Sequence, residues 1–227
     1  MDEQNEWAEA ASLRQGLYRF FAAAFLPPNE RRMQELELSA EYLDTYGVNR
    51  FAFAPWWFGL LDAFEDMPGA ELLHSEYVRL FLTSSDGTLC PPVESYYRAS
   101  AEGGGLAELL SDLERNYRRL GVQVQPDSVE SVDHISVQLE TMAELCRREA
   151  EGASNWESET VHKALHDQYE FISQHPAAWF PRFAERVAAA DPMRFYARLT
   201  EATDAYLKHE YDFIPGLTHG VSSGDKV

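Results

Sequence analysis

Apolar residues recur at steps of three and four along almost the whole chain, with no convincing run of alternating apolar and polar positions. A period near 3.6 sets one face of an α-helix against a core, whereas a period of two would mark strands. Leu13, Leu17, Phe20, Phe21 and Ala24 form the first stripe. Pro27 and Pro28 stop it, since proline has no N–H for the helix ladder. Asn29 is placed to cap a second, more polar helix that ends near Gly47. An aromatic segment follows with Trp56, Trp57, Phe58, Leu60, Leu61 and Phe64, and the Pro68-Gly69 break separates it from Leu72, Leu73, Tyr77, Leu80 and Phe81. Leu106, Leu109, Leu113, Tyr117 and Leu120 then step at helical spacing to Gly121. Asp127, with Glu130 three residues on, resembles a capping box opening a helix through Ile135, Leu139, Met142 and Leu145. Asn155 is the expected cap of the next helix, which carries Val161, Leu165, Tyr169 and Ile172. Pro176 and Pro192 punctuate two more, one with Phe180, Phe183 and Val187, the other with Phe195, Leu199 and Tyr206.

These elements predict an all-α fold: a single helical domain of eight or nine helices over residues 1–215, then a polar, Gly- and Ser-containing tail at 216–227 that frays. The Asp86-Gly87 pair has hairpin turn chemistry, but no alternating runs flank it. No repeat of fixed period occurs, which argues against a solenoid. With 227 residues, one such domain buries a sizeable core.

The stretch 83–100 stands out as a loop too long for a compact helical domain unless it has work to do. Leu89, Val93, Tyr96 and Tyr97 are residues that pack, and Pro91-Pro92 stiffens an extended segment. Glu94 sits among them, where a carboxylate is partly desolvated and calls for a cation.

Charge narrows the partners. The chain has 38 acidic and 19 basic side chains, a formal net charge of −19. Such a surface repels phosphate backbones and anionic lipid, so no nucleic acid partner and no membrane surface is expected, and it steers cationic partners inward. Cys90 and Cys146 lie far apart without a CxxC pairing, which fits a reducing compartment. The first residues lack the basic start and apolar run of a secretory signal, and no run of about 18 apolar residues occurs. The expectation is a soluble, cytoplasmic protein with no membrane insertion.

The stretch Tyr77-Val78-Arg79-Leu80-Phe81, then Gly87, then Pro91-Pro92-Val93-Glu94-Ser95-x-Tyr97, resembles the signature region of the TorD/DmsD/NarJ family of redox-enzyme maturation chaperones. Asp133-His134-Ile135, with Leu139 and Met142 following, is similar to the family's Asp-His helix, and His175-Pro176-x-x-Trp179-x-Pro181-x-Phe183 to its late helix start. Many members have proline two residues before the Asp-His pair, whereas this chain has Ser131. The resemblance implies an all-helical chaperone, not an enzyme, that binds the twin-arginine signal peptide of a molybdoenzyme catalytic subunit in its apo form. It also implies help with molybdenum-cofactor insertion before export. Carried over by position, the peptide-binding residues are Tyr77, Leu80, Phe81, Gly87, Pro91, Pro92, Glu94, Tyr97, Asp133 and His134. The physical reading agrees: two arginines and an apolar stretch call for carboxylates, here Glu94 and Asp133, beside an apolar groove. Tyr77, Leu80, Phe81, Pro91 and Tyr97 are its expected lining.

Competing chemistry is thinner. Asp133 and His134 are helix neighbours about 100° apart, so they form no oriented acid–base dyad by themselves. Glu71-x-x-His74 matches half of a di-metal motif, but no second copy occurs. His162 and His166 share a helix face with charged Lys163 and Asp167, as a solvated face would. Gly103-Gly104-Gly105 follows no strand and lacks the Lys-Ser/Thr of a phosphate loop. No catalytic residue, metal ligand or cofactor is assigned. The alternatives are a helical metalloenzyme with Glu and His ligands, or a structural adaptor of a respiratory complex. Glycine-containing joints between helices also allow a homodimer by domain swapping.

Overall fold

The computed structural model describes residues 3–82, 87–98, 105–123 and 131–224. The apolar stripes become ten α-helices: α1 (Glu3–Ala24), α2 (Glu30–Thr45), α3 (Ala54–Glu65), α4 (Ala70–Phe81), α5 (Glu94–Arg98), α6 (Leu106–Leu120), α7 (Ile135–Ser154), α8 (Ser158–Gln174), α9 (Pro176–Ala190) and α10 (Phe195–Gly224). A short 3-10 turn, Val48–Arg50, follows α2. Among the described residues there is no strand, only an isolated antiparallel bridge between Val93 and His134. No helix among them is long and apolar enough to cross a membrane.

The local chemistry behaves as read at several ends. Asn29 caps α2, its side chain accepting from the Arg32 N–H at 2.9 Å. Gly121 closes α6 in the left-handed region, at φ 65°, which glycine adopts without a Cβ penalty. Pro176 is the first residue of α9, where its missing N–H costs nothing.

Several local expectations are corrected. The stretch read as the loop 83–100 includes a five-residue helix, α5, one of ten helices among the described residues. The helix expected to open at Asp127 has its first turn at Ile135, capped by His134, and Asp127 and Glu130 lie outside the described residues. Asn155 ends α7 instead of starting α8, whose N-cap is Glu157. Helical backbone continues through Pro215 to Gly224. Asp86, Gly103 and Gly104 also lie outside the described residues.

α1 packs along α7, which lies on α8, while α10 packs against α9, α8 and α3. Aromatic side chains fill the centre: Phe21, Trp57, Phe53 and Tyr206 are buried together, as are Phe25, Phe180 and Phe183. Burial on this scale, at about 25 cal/mol per Å² of apolar surface, drives the collapse.

A buried ionic knot ties four of these helices. Arg14 of α1 donates through Nε to Glu210 of α10 at 2.9 Å, through Nη1 to Glu149 of α7 at 2.8 Å, and through Nη2 to Gln168 of α8 at 2.5 Å. Gln168 in turn donates to Glu149 at 2.8 Å, and the Trp7 indole reaches the other Glu149 oxygen at 2.9 Å. Burial disfavours the guanidinium charge, but Glu210 and Glu149 outweigh it and hold the Arg14 pKa well above its ordinary value. One of the four helices, α7, also carries Gln138, which reaches the motif loop at Glu94.

Candidate functional site

Pro91 and Pro92 keep the chain extended, and that segment clips onto the start of α7. Ile135 N–H donates to the Pro92 carbonyl at 2.9 Å, and Glu94 N–H to the Asp133 carbonyl at 3.0 Å. This two-bond exchange is the antiparallel bridge between Val93 and His134. It joins the Pro-Pro-x-Glu and Asp-His motifs, whose Glu94 and Asp133 stand 39 positions apart, into one joint.

Each polar side chain at the joint has a task. Asp133 Oδ2 accepts the Ser95 N–H at 3.0 Å, so it caps α5 from outside, and Ser131 donates to its other oxygen. His134 caps α7: its Nδ1 accepts the Ser136 N–H at 3.1 Å, with the Ser136 hydroxyl at 2.6 Å. Glu94 is fully buried and accepts from three donors: Arg98 Nη1 at 2.6 Å, Gln138 Nε2 at 2.6 Å and His175 Nδ1 at 3.2 Å. Gln138 is held by the Trp179 indole at 3.0 Å, and His175 by Asn116 at 3.1 Å. Asn116 Nδ2 meets the Nε2 edge of His175, and the Nδ1 edge faces Glu94. The network draws on α5, α6, α7, α9 and the junction between α8 and α9.

Burial pushes the His134 pKa down to about 4, with the Asp133 charge opposing it. Below 6.5 the unfolded chain takes up a proton that the folded one refuses, so stability falls with pH between 6.5 and 4. At about 1.4 kcal/mol per unit, pH 5 costs roughly 2 kcal/mol relative to pH 7. Urea unfolding of the wild type and of His134→Asn, which keeps a good cap, tests this: the wild type should lose that much more than the variant between the two pH values.

The ten residues proposed from sequence come together, but mostly inside. Tyr77, Leu80, Phe81, Pro92, Glu94, Tyr97, Asp133 and His134 are buried, Pro91 is half-buried and Gly87 exposed. The Tyr77 hydroxyl donates to the Phe25 carbonyl at 3.2 Å, and Tyr97 stacks on Trp179 with ring centroids 5.4 Å apart. The expected groove lined by Tyr77, Leu80 and Phe81 is therefore packed core in this structure, and the Glu94 and Asp133 carboxylates are engaged within the fold. Their apolar neighbours face outward instead: Val78 and Leu82 on the exposed side of α4, Leu89 in the loop and Tyr96 on α5. Cys90 N–H donates to the Leu80 carbonyl at 2.7 Å, which lays the loop against the end of α4. Arg186 binds the Leu89 carbonyl and lies over the Tyr96 ring, 5.3 Å from its centroid.

Sequence reasoning left Arg98, Asn116, Gln138, His175 and Trp179 out of the site. Two of them, His175 and Trp179, stand in the third motif block, and Arg98 lies four residues after Glu94, the spacing of a helical ion pair. The metal alternatives find no cluster. His74 lies 3.3 Å from the Pro28 carbonyl, His162 3.4 Å from that of Thr218, and His166 3.7 Å from Glu170. Among the described residues no three His, Cys, Asp or Glu side chains are grouped to hold a metal ion. A groove of about 1400 Å³ between α1 and α2 is lined by none of the ten residues.

Comparison with known proteins is consistent. The family model described as nitrate reductase delta subunit matches residues 52–185. The chaperone protein TorD of Vibrio cholerae serotype O1 is 30% identical over 164 residues, covering 70% of this chain and 71% of that one. The chlorate reductase assembly chaperone protein of Ideonella dechloratans is 31% identical over 124 residues, 54% of this chain and 61% of that one. A crystal structure of an Archaeoglobus fulgidus protein, described under redox enzyme maturation, superposes with a TM-score of 0.55 at 21% identity over 86% of this chain and 93% of that one, and shares its fold.

Proposed function

This chain belongs to the nitrate reductase delta subunit family, to which TorD-type chaperones are akin, and from that premise we propose that it binds the twin-arginine signal peptide of a molybdenum-containing reductase during assembly. The role is that of a redox-enzyme maturation chaperone, not an enzyme: relatives spanning most of its length are named as chaperones, among them assembly factors for chlorate and selenate reductases. The client is the apo catalytic subunit, held in the cytoplasm while its cofactor is inserted, before export.

One observation carries the peptide reading. The Pro-Pro-x-Glu loop and the Asp-His helix start, which the resemblance picks out, are clipped into one joint, and exposed apolar residues adjoin it. Leu82, Leu89 and Tyr96 are each 41–43% exposed, and Val78 is 40% exposed. Arg79 and Arg186 flank this face, so it suits the apolar stretch of a signal and not its arginine pair.

Calorimetry with a peptide bearing two adjacent arginines before an apolar run tests the reading. The intact chain should bind it, and replacing Leu89 and Tyr96 together by serine should weaken binding about tenfold, because two half-exposed side chains no longer cover apolar surface. Their exposure means the fold should tolerate the change. An intact chain that shows no binding to its own client's signal would end the proposal.

A further inference from the structure

We propose that a second copy of this chain docks on the outer face of α2, the two α2 helices pairing antiparallel about a two-fold axis that passes between Leu38 and Tyr42. No element changes hands between the copies, and the surface shares no residue with the face proposed for the peptide.

α2 is apolar on two sides. Met33, Leu36, Ala40 and Leu43 turn inward and are buried. Leu38, Tyr42 and Tyr46, the last of them the residue that caps the helix end, step by four along the opposite side. They are 67%, 59% and 59% exposed. A surface helix needs one apolar stripe to meet its own core, and a second stripe calls for a second partner. That stripe is already set in shape. The Tyr42 and Tyr46 rings stack with centroids 4.2 Å apart, a flat plate that loses little rotamer freedom when it is covered.

Charge along the helix selects a copy running the other way. Arg31 and Arg32 lie in the first turn of α2, Glu41 and Asp44 in its last two turns. A parallel copy would set like charge on like, whereas an antiparallel one sets cation against acid and opposes the helix dipoles. With the axis between Leu38 and Tyr42, the rise of about 1.5 Å per residue brings Leu38 against Tyr42 of the second copy and Gln34 beside its Thr45. Glu35 and Glu41 then meet Tyr46 and Ser39, so no carboxylate on the stripe faces another. The Arg31 side chain is 87% exposed and bonded to Glu35 at 2.8 Å, and it comes within reach of the Tyr46 ring of the second copy. Every contact occurs twice. A foreign basic helix would instead set its own cations against Arg31.

Two such faces bury about 1,000 Å² in total, the low end of specific interfaces, so the dimer is reversible with a Kd on the order of 10–100 μM. The net charge of −19 on each copy opposes approach until salt screens it. Sedimentation equilibrium of the full chain in about 0.3 M NaCl, from about 5 to 300 μM, should therefore show monomer and dimer in exchange. Leu38→Glu combined with Tyr42→Glu should weaken the dimer at least about tenfold. The double variant should melt within about 2 °C of the wild type, since both side chains are exposed. Disulfide capture tests the register. Cys90 and Cys146 are the chain's two cysteines and both are buried, so an added thiol on α2 is the one exposed. Gln34→Cys and Thr45→Cys chains, mixed under mild oxidation, should link to each other. Neither should link to itself, because the two copies of either position lie about 15–18 Å apart along the pair. A chain that stays monomeric throughout that range overturns the pairing. So does a dimer that survives the double glutamate change, or self-linked chains in place of mixed ones.

Discussion

Replacing Arg14 by methionine should lower the unfolding free energy by about 3–5 kcal/mol, the loss expected when one partner of a buried ion pair is removed. The guanidinium is 1% exposed and faces two carboxylates, Glu149 and Glu210, that are equally sealed from water. Methionine fills much of the space but leaves both acids without a cation, and the Gln168 oxygen keeps only the weak Cys146 thiol donor. The effect is electrostatic, so it has a signature that a packing defect lacks. Lowering the pH should return part of the lost stability in the variant, because protonation removes the two uncompensated charges. The combined change Arg14→Met, Glu149→Gln and Glu210→Gln should likewise recover much of it, since a buried polar set without net charge is cheaper than one with a missing partner. Urea midpoints for the three proteins decide the matter. A loss below about 1 kcal/mol in Arg14→Met would show that the knot does not tie α1 to α7, α8 and α10.

That knot was legible in part. Arg14 shares a helix face with Tyr18, Phe21 and Phe25, at spacings of four, seven and eleven, and all three are buried. A charge on an apolar stripe announces a buried partner, but its identity depends on helices 135 and 196 positions away. Local rules fared best where the cause is local: the cap at Asn29, the glycine that ends α6 and the proline that opens α9. They failed where a neighbour in space decides. α5 is too short to show a period or to hold by itself, and it forms because Asp133 caps it from a distant segment. α7 starts at Ile135 because His134, its extended cap, is bridged to Val93 between Pro92 and Glu94. The same limit applies to the site. The motif residues could be gathered from their types and order, and Glu94 among apolar residues correctly called for a cation. Whether those residues line a surface or a core is a question of packing, and most of them turned out to be core.

Glu94→Gln should therefore act on the frame before it acts on any ligand, with an expected loss of about 2–4 kcal/mol. The carboxylate accepts from Arg98, Gln138 and His175 at once, and an amide offers one oxygen and two N–H groups in its place. Either Arg98 or Gln138 would then face an N–H group, His175 would keep only one of the two oxygens it reaches, and Arg98 would lose its ion pair. Asp133→Asn should cost less, about 1 kcal/mol, because an asparagine oxygen still caps α5 at Ser95. The comparison matters, since the resemblance implies that both carboxylates meet an incoming arginine. A double-mutant cycle of Glu94→Gln with Arg98→Met isolates the pair itself, and contact at 2.6 Å predicts a coupling of about 1–3 kcal/mol. Glu94→Gln should in addition bind an Arg-Arg peptide at least about tenfold more weakly than the wild type does, under conditions where circular dichroism shows both folded. A variant that keeps both its urea midpoint and its affinity would mean that the buried carboxylate neither holds the motif loop to α7 nor meets the client's arginine.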